Sequence, residues 1–240
     1  MRKKCWPSAF LSIILLFSCT SIETVKRPVS YYEEGSSQLV KASEPVSLFS
    51  SDSAVLSDED IKHILSYRFS LQKQNRIGIL AIGYWSYWFG WSDELARAGV
   101  EVQSGLIGKL RSSPYVFDAS YLPTLMIPEK KTVGRFREAA ARYQADLLLI
   151  YQASCRTYEK YRIFSREKSK SYCNVEAVLI DTRTGIVPFA ATASQDFFAE
   201  KSDKDMNMTE TIRRAELSAL GAALGEVGEK VVGFLDIAGR

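Results

Sequence analysis

The sequence has almost no histidine and no large excess of charge of either sign. Its single histidine, His63, gives a catalytic triad or a histidine metal site no second candidate. The 31 basic and 28 acidic residues leave a formal charge of +3, and Arg2, Lys3 and Lys4 account for all of that excess. Because a nucleic-acid-binding protein needs an excess of basic residues to neutralise phosphates, we expect no nucleic-acid partner.

Recognisable enzyme motifs are also absent. No serine lies in a G-x-S-x-G sequence. Residues 105–110 resemble a phosphate-binding loop only in part, because Gln103 stands in place of its first glycine and Leu110 in place of its last Ser or Thr. We therefore predict that the protein is not an enzyme and that it uses no cofactor and no metal.

The apolar run at the N-terminus is too short for a permanent membrane-spanning helix. Residues 10–17 follow three basic residues, whereas a bilayer about 30 Å thick needs about 20 apolar residues. The run ends in Leu-Phe-Ser-Cys at 16–19, which resembles the bacterial lipobox, where the thiol is acylated and the signal is cut just before it. We predict a signal peptide over residues 1–18 and a lipid anchor, with palmitate-like acyl chains, on Cys19. A conventional signal peptide with an incidental cysteine is the alternative.

The residues after the cysteine show no sustained helical or strand period. We predict a lipidated N-terminus and flexible tether over residues 19–56, followed by a single periplasmic α/β domain over residues 57–240. Such a tether would reach at most ~120 Å and would let the domain work away from the membrane. Thr20, rather than Asp, follows the cysteine, which by the sorting rule for such lipoproteins favours the outer membrane.

Apolar periodicity predicts a layered domain built on one mixed sheet. A capping signature at 57–60 begins a helix whose apolar face is Ile61, Ile64, Leu65 and Phe69. Three further helices are predicted at 93–110, 132–145 and 208–235. Strands are predicted at 76–83, 115–122, 146–151 with an arm continuing over 156–164, 172–180 and 186–198. The order after the first helix is therefore β-α-β-α-β-β-β-α.

Two cysteines remain after processing, Cys155 and Cys173, and an oxidising compartment would let them pair. A direct cross-strand disulfide requires a hairpin turn centred near Phe164. The polar run over 165–171 puts the centre nearer 168 instead. The sequence leaves open whether the two thiols are paired.

An aromatic cluster occupies the connection between the first strand and its helix. Its members are Tyr84, Trp85, Tyr87, Trp88, Phe89 and Trp91. Connections seldom contain so much apolar surface unless it is buried or bound to something. One interpretation is a secondary core folded over the sheet edge. The other is a surface that binds a protein or lipid headgroups.

The predicted arm is a second candidate binding surface. Its basic and tyrosine residues, notably Arg156, Tyr158, Tyr161 and Arg162, suit an acidic protein or an anionic envelope polymer. The alternative is a hairpin that only guards the sheet edge and keeps the protein soluble.

Three segments resemble the superfamily that contains LpoB, CsgG and the amino-terminal domain of TolB. They are the opening strand at 76–80, the helix-to-strand segment at 137–150 and the strand-to-turn segment at 178–185. The resemblance covers roughly residues 70 to 235 and implies the fold more than the function. The chain departs from it where Ile82 and Gly83 replace the usual Pro-Phe.

The resemblance implies two different functions. An LpoB-like lipoprotein activates a peptidoglycan synthase by contact, whereas a CsgG-like lipoprotein assembles into a ring and inserts hairpins as a secretion pore. A membrane-inserted hairpin needs a continuous apolar face, but Tyr158 alternates in phase with Lys160 and Arg162. We predict a non-enzymatic binding or regulatory module of the outer membrane, with the pore as the alternative and an envelope enzyme third.

Overall fold

A computed structural model describes residues 22–24, 48, 56–82, 93–160, 168–203, 205 and 207–240. These residues form one mixed β-sheet with helices on both faces. The strands are β1 (Ile22–Thr24), β2 (Asn75–Ile82), β3 (Val116–Tyr121), β4 (Leu147–Lys160), β5 (Lys168–Asp181) and β6 (Phe189–Glu200). The helices are α1 (Asp58–Ser66), α2 (Asp93–Leu110), α3 (Val133–Arg142) and α4 (Met208–Ala238), with a 3₁₀ turn at Thr124–Met126. The predicted fold class and the order of elements from α1 to α4 are confirmed.

The sheet has the strand order β3-β2-β4-β5-β6. β2 pairs in parallel with β3 and β4, because helices cross over between these strands, whereas β4, β5 and β6 are antiparallel neighbours. β2 ends opposite Gln152, but β4 and its antiparallel neighbours continue. We call this continuation the arm. In the structure it comprises residues 153–160, 168–175 and 193–200, and so includes part of the arm predicted over 156–164.

The two faces of the sheet pack against different helices. Leu149 and Tyr151 of β4 lie in a core with α2 and α4, whereas Leu148 and Ile150 lie in a second core with α3. Successive residues of a strand point to opposite faces, so a strand covered on both sides has no polar alternation. This explains the uninterrupted apolar run of β4 and confirms its prediction as a central strand.

Helix α1 begins where its sequence predicts but does not join the core. The Ser57 hydroxyl accepts a hydrogen bond from the Asp60 amide at 3.1 Å, and the Asp60 carboxylate accepts one from the Ser57 amide at 3.2 Å, which completes a capping box. None of its residues is buried, and Ile64 and Leu65 are exposed. Of the predicted apolar face, only Phe69, beyond the end of the helix, packs on the main core, where its ring lies 5.8 Å from that of Phe234. The sequence of α1 therefore predicted that the helix forms, but not that its apolar face stays out of the core.

Strand β1 lies within the segment predicted as a flexible tether. Its residues pair antiparallel with the end of β4, so that Ile22 is opposite Lys160 and Thr24 is opposite Tyr158. At that level β2 has already ended, and the edge of β4 would otherwise leave its amides and carbonyls unpaired. The prediction of an unstructured tether is therefore wrong at these three residues.

Asp205 fixes the connection between β6 and α4. Its carboxylate accepts hydrogen bonds from Arg214 at 2.9 Å, from the Thr211 hydroxyl at 2.9 Å and from the Ser202 amide at 2.7 Å. Burial opposes ionisation of this carboxyl, but the hydrogen bonds from Arg214, Ser202 and Thr211 outweigh it and lower the pKa of Asp205 to about 2. The ionised carboxylate of Asp205 therefore helps to hold the connection against the first turns of α4.

We expect the free energy of unfolding of the Asp205→Asn variant to depend less on pH, in the acid range, than that of the wild type. A carboxyl with a lowered pKa stabilises the fold fully above its unfolded pKa of 3.8, and this contribution disappears as the pH falls towards 2. Urea unfolding at about pH 6 and about pH 3 should show a smaller pH dependence in the variant than in the wild type. The same change at exposed Asp203 is the control. An equal pH dependence in wild type and Asp205→Asn would contradict the assigned role.

Candidate binding surface

The described residues offer little that suggests catalysis. Within them, no group of three His, Cys, Asp or Glu side chains is placed to hold a metal ion. A surface groove of about 480 Å³ lies beside α3, and its Glu138 carboxylate binds Arg135 and Arg142, each at 2.9 Å. Hydrogen bonds from Arg135 and then Arg142 lower the pKa of Glu138, so this carboxylate is a poor proton acceptor.

The arm is paired more extensively than the sequence indicated. β4 and β5 remain in register from Leu147 opposite Asp181 to Lys160 opposite Lys168, so the pairing is centred on position 164. The expected turn centre near 168 is therefore wrong. The part of the polar run that the structure describes, residues 168–171, belongs to β5, where Ser169 and Ser171 are buried on the face of the sheet that packs against α4. Small hydroxyl residues occupy inward positions there, so the usual apolar alternation is hidden.

A disulfide links two strands of the arm, near the end where the arm leaves the rest of the sheet. Cys155 and Cys173 are direct cross-strand partners with their Cα atoms 4.1 Å apart, and their sulfur atoms are bonded. Cys173 is fully buried on the side that faces α4. The bond therefore holds β4 and β5 together three residues beyond the end of β2.

Removing this disulfide should destabilise the protein by about 3 kcal/mol, because the bond closes a loop with a sequence separation of 18 residues. We expect the double variant Cys155→Ala with Cys173→Ala to show this loss in chemical denaturation. A reductant should reproduce the loss in the wild type and have no effect on the double variant. Equal stability of the oxidised wild type and the double variant would contradict the prediction.

Buried polar contacts attach α4 to the inner face of the arm. Glu216 of α4 accepts a hydrogen bond from the Thr157 hydroxyl at 2.8 Å, and that hydroxyl also lies 3.0 Å from the hydroxyl of Ser171. Glu216 forms an ion pair with Arg213 at 3.1 Å, and the two side chains are only 8% and 6% exposed. The inner face is therefore closed by specific polar contacts as well as by apolar packing.

The outer face of the arm is open to solvent. Two cross-strand rows lie on it, Arg156–Tyr172–Asp196 and, nearer the end of the arm, Tyr158–Lys170–Phe198. Phe198 is 66% exposed and Tyr172 is 43% exposed. We call these six residues the open face.

The charges on the open face are unequally matched. Lys170 binds the Asp196 carboxylate at 2.7 Å, and its ammonium group lies 4.7 Å from the centre of the Phe198 ring. Arg156 is exposed and makes no ion pair with any residue that the structure describes. The face therefore presents one available guanidinium group between two tyrosines.

The structure places only part of the predicted site. Arg156 and Tyr158 lie together on the open face, in adjacent rows. The other predicted residues lie outside the described residues: Cys19, Tyr161, Arg162 and the aromatic cluster of Tyr84, Trp85, Tyr87, Trp88, Phe89 and Trp91. Their assigned roles stay predictions.

Sequence reasoning did not include Tyr172, Asp196 and Phe198 in this surface. Their neighbours on the open face depend on the register of three strands, and no local pattern reports that register. The usable signal was the adjacent pair Phe197 and Phe198, which follows the polar residues 194–196. Consecutive strand residues point to opposite faces, so two adjacent aromatics are both buried only where both faces of the strand are covered.

Solved structures resemble this layered domain only loosely. PelC of Paraburkholderia phytofirmans, solved as a dodecamer, is 16% identical with a TM-score of 0.37, over 67% of this chain and 89% of that chain. The hypothetical protein CT253 of Chlamydia trachomatis is 11% identical with a TM-score of 0.36, over 68% of this chain and 98% of that one. The lipoprotein GNA1162 of Neisseria meningitidis is 14% identical with a TM-score of 0.32, over 66% of this chain and 99% of that one.

No family of known proteins matches the sequence, and no curated protein matches it either. The resemblance to the LpoB, CsgG and TolB superfamily therefore stays a prediction, and the function of this chain rests on its own residues. Among the described helices, none combines the length and the apolar character needed to cross a bilayer.

Proposed function

We propose that this protein is a lipid-anchored module of the bacterial cell envelope that binds another protein through the open face of its arm and catalyses no reaction. The open face is the observation that carries the proposal. Arginine and tyrosine contribute much of the binding energy at protein interfaces, and Arg156, Tyr158 and Tyr172 are adjacent there. The disulfide and the Glu216 contacts hold this face in one shape before binding, which reduces the entropy lost on association.

The lipobox supports the location of the proposed module. An acylated Cys19 would anchor the chain in the outer membrane, with the domain in the periplasm. The disulfide agrees with an oxidising compartment of this kind. By its resemblance to LpoB, the partner that we propose is a peptidoglycan synthase.

The open face weighs against the secretion-pore alternative. The wall of a membrane barrel needs an apolar lipid-facing band, whereas Arg156, Lys170 and Asp196 lie in the middle of this surface. These side chains suit an aqueous protein interface.

Photo-cross-linking in intact cells tests the proposed interface. A photoreactive amino acid at Tyr172 should cross-link to a peptidoglycan synthase, identified by mass spectrometry. The same amino acid at Phe117, which is 57% exposed on β3, is the matched control and should give no such product. Adding Arg156→Glu to the Tyr172 probe should greatly reduce the product. Equal products from both positions would contradict the assigned interface, and a ladder of self-linked rings would favour the pore.

A further inference from the structure

We propose that the end of the arm lies against the phospholipid surface that holds the anchor, so that the domain is kept at the membrane and not at the end of a long tether. The proposal rests on the proposed lipidation of Cys19. It arises from the pairing of β1, which the sequence did not predict.

The register of β1 sets the direction in which the chain leaves the sheet. β1 is antiparallel to β4, with Thr24 opposite Tyr158 and Ile22 opposite Lys160. The chain towards the N-terminus therefore leaves β1 at the outer end of the arm. Lys168 of β5 and Glu200 of β6 are at the same level, so four strands share this end.

Covalent geometry then limits the distance between anchor and arm. Cys19 precedes Ile22 by three residues. Because consecutive Cα atoms are about 3.8 Å apart, the Cα atom of Cys19 lies within about 11 Å of that of Ile22. Acyl chains on Cys19 enter the bilayer at its surface, so the end of the arm must lie within about the same distance of the headgroups.

The side chains near this end suit a headgroup layer. Phe197 and Phe198 are both exposed on the edge strand β6, and they point to opposite faces of the sheet. Lys170, which also binds Asp196, and the half-buried Tyr158 lie beside Phe198 on the open face. Aromatic and basic side chains of this kind are enriched where a protein meets the membrane–water interface, because one part of each is apolar and the other polar or charged.

This placement also restricts the partner of the proposed function. Arg156 is four residues from Lys160 along β4, or about 13 Å at the rise of a strand. A protein that binds Arg156 and Tyr172 must therefore come within about 25 Å of the anchoring membrane, the sum of these two distances. A partner confined to the centre of the periplasm would not fit.

Fluorescence quenching on vesicles tests the proposal with the mature, lipidated chain. A polarity-sensitive fluorophore is attached at Phe198→Cys or, as the control, at Phe117→Cys, and the protein is reconstituted into phosphatidylethanolamine and phosphatidylglycerol vesicles. Phe117 is in β3, the opposite edge strand, near the end of the sheet away from the arm. Lipids with a spin label on the headgroup should quench most of the fluorescence at position 198 and leave position 117 near its level without quencher.

Two matched insertions separate the pairing of β1 from the length of the tether. About twelve Gly and Ser residues, which span on the order of 20 Å as a flexible coil, are inserted either between Cys19 and Ile22 or after Thr24. The first insertion should abolish quenching at position 198, because it lengthens the link between anchor and arm. The second should leave quenching unchanged, because β1 still holds the arm at the anchor.

Flotation of the vesicles distinguishes failure of this proposal from failure of the proposed function. Protein that floats with the vesicles but shows equal, weak quenching at positions 198 and 117 would overturn membrane contact by the arm and leave the lipid anchor intact. Protein that does not float, and whose Cys19 shows no acyl mass, would overturn this proposal and the lipid anchor of the proposed function. Equal quenching with the two insertions would also overturn the role of β1.

Discussion

Replacing Glu216 with glutamine should lower the free energy of unfolding by about 3–5 kcal/mol, because it breaks the buried ion pair between Glu216 and Arg213. Glutamine preserves the size of the side chain, so the change tests the charge and not the packing. Urea or guanidinium unfolding at neutral pH measures the effect, and the midpoint should shift without a large change in slope.

The matched control is Glu229→Gln. Glu229 binds Lys109 at 2.8 Å, but its side chain is 64% exposed, and an exposed pair of this kind contributes less than about 1 kcal/mol. If Glu216→Gln costs no more than Glu229→Gln, the contacts between α4 and the arm do not depend on the buried ion pair. The shape of the open face would then be fixed by the disulfide and the apolar packing alone.

Replacing Phe136 with alanine should cost about 3–5 kcal/mol, because it removes a buried aromatic side chain and leaves a cavity. Phe136 is 1% exposed and is the aromatic residue by which α3 packs on Leu148 and Ile180. Denaturant unfolding or the melting temperature measures the loss.

Phe117→Ala is the control for this prediction, because it removes the same side chain from a position that is 57% exposed. A change within about 0.5 kcal/mol is expected there. Equal losses for the two variants would show that α3 contributes no more to the core than an exposed strand position does. The two-sided covering of β4 would then need another explanation.

The layered fold was predictable where one stretch of sequence contains its own evidence. The apolar run that begins at Leu147 predicts a strand covered on both faces, and the packing of Leu148 and Leu149 into different cores confirms it. The capping box at Ser57 was predictable for the same reason, because the residues that make it are three apart.

Features that depend on distant partners could not be predicted in this way. β1 is three residues long and has no period of its own, and it forms a strand because β4 offers an unpaired edge. The buried hydroxyls of Ser169 and Ser171 look like a solvated turn until α4 is placed over them. The open face likewise exists only once three strands are aligned, which is why Arg156 and Tyr158 were predicted and Phe198 was not.

Helix α4 has a mechanical consequence for anything bound at the arm. It contains 31 residues and is therefore about 46 Å long. Near its start it is bonded to the arm through Glu216, and just past its end the Gly239 carbonyl accepts a hydrogen bond from the Tyr115 hydroxyl at 3.0 Å. One continuous helix therefore connects the arm with the turn before β3. A force applied to the open face would be transmitted through α4 to the turn before β3. The arm and the rest of the domain should therefore move as one rigid body.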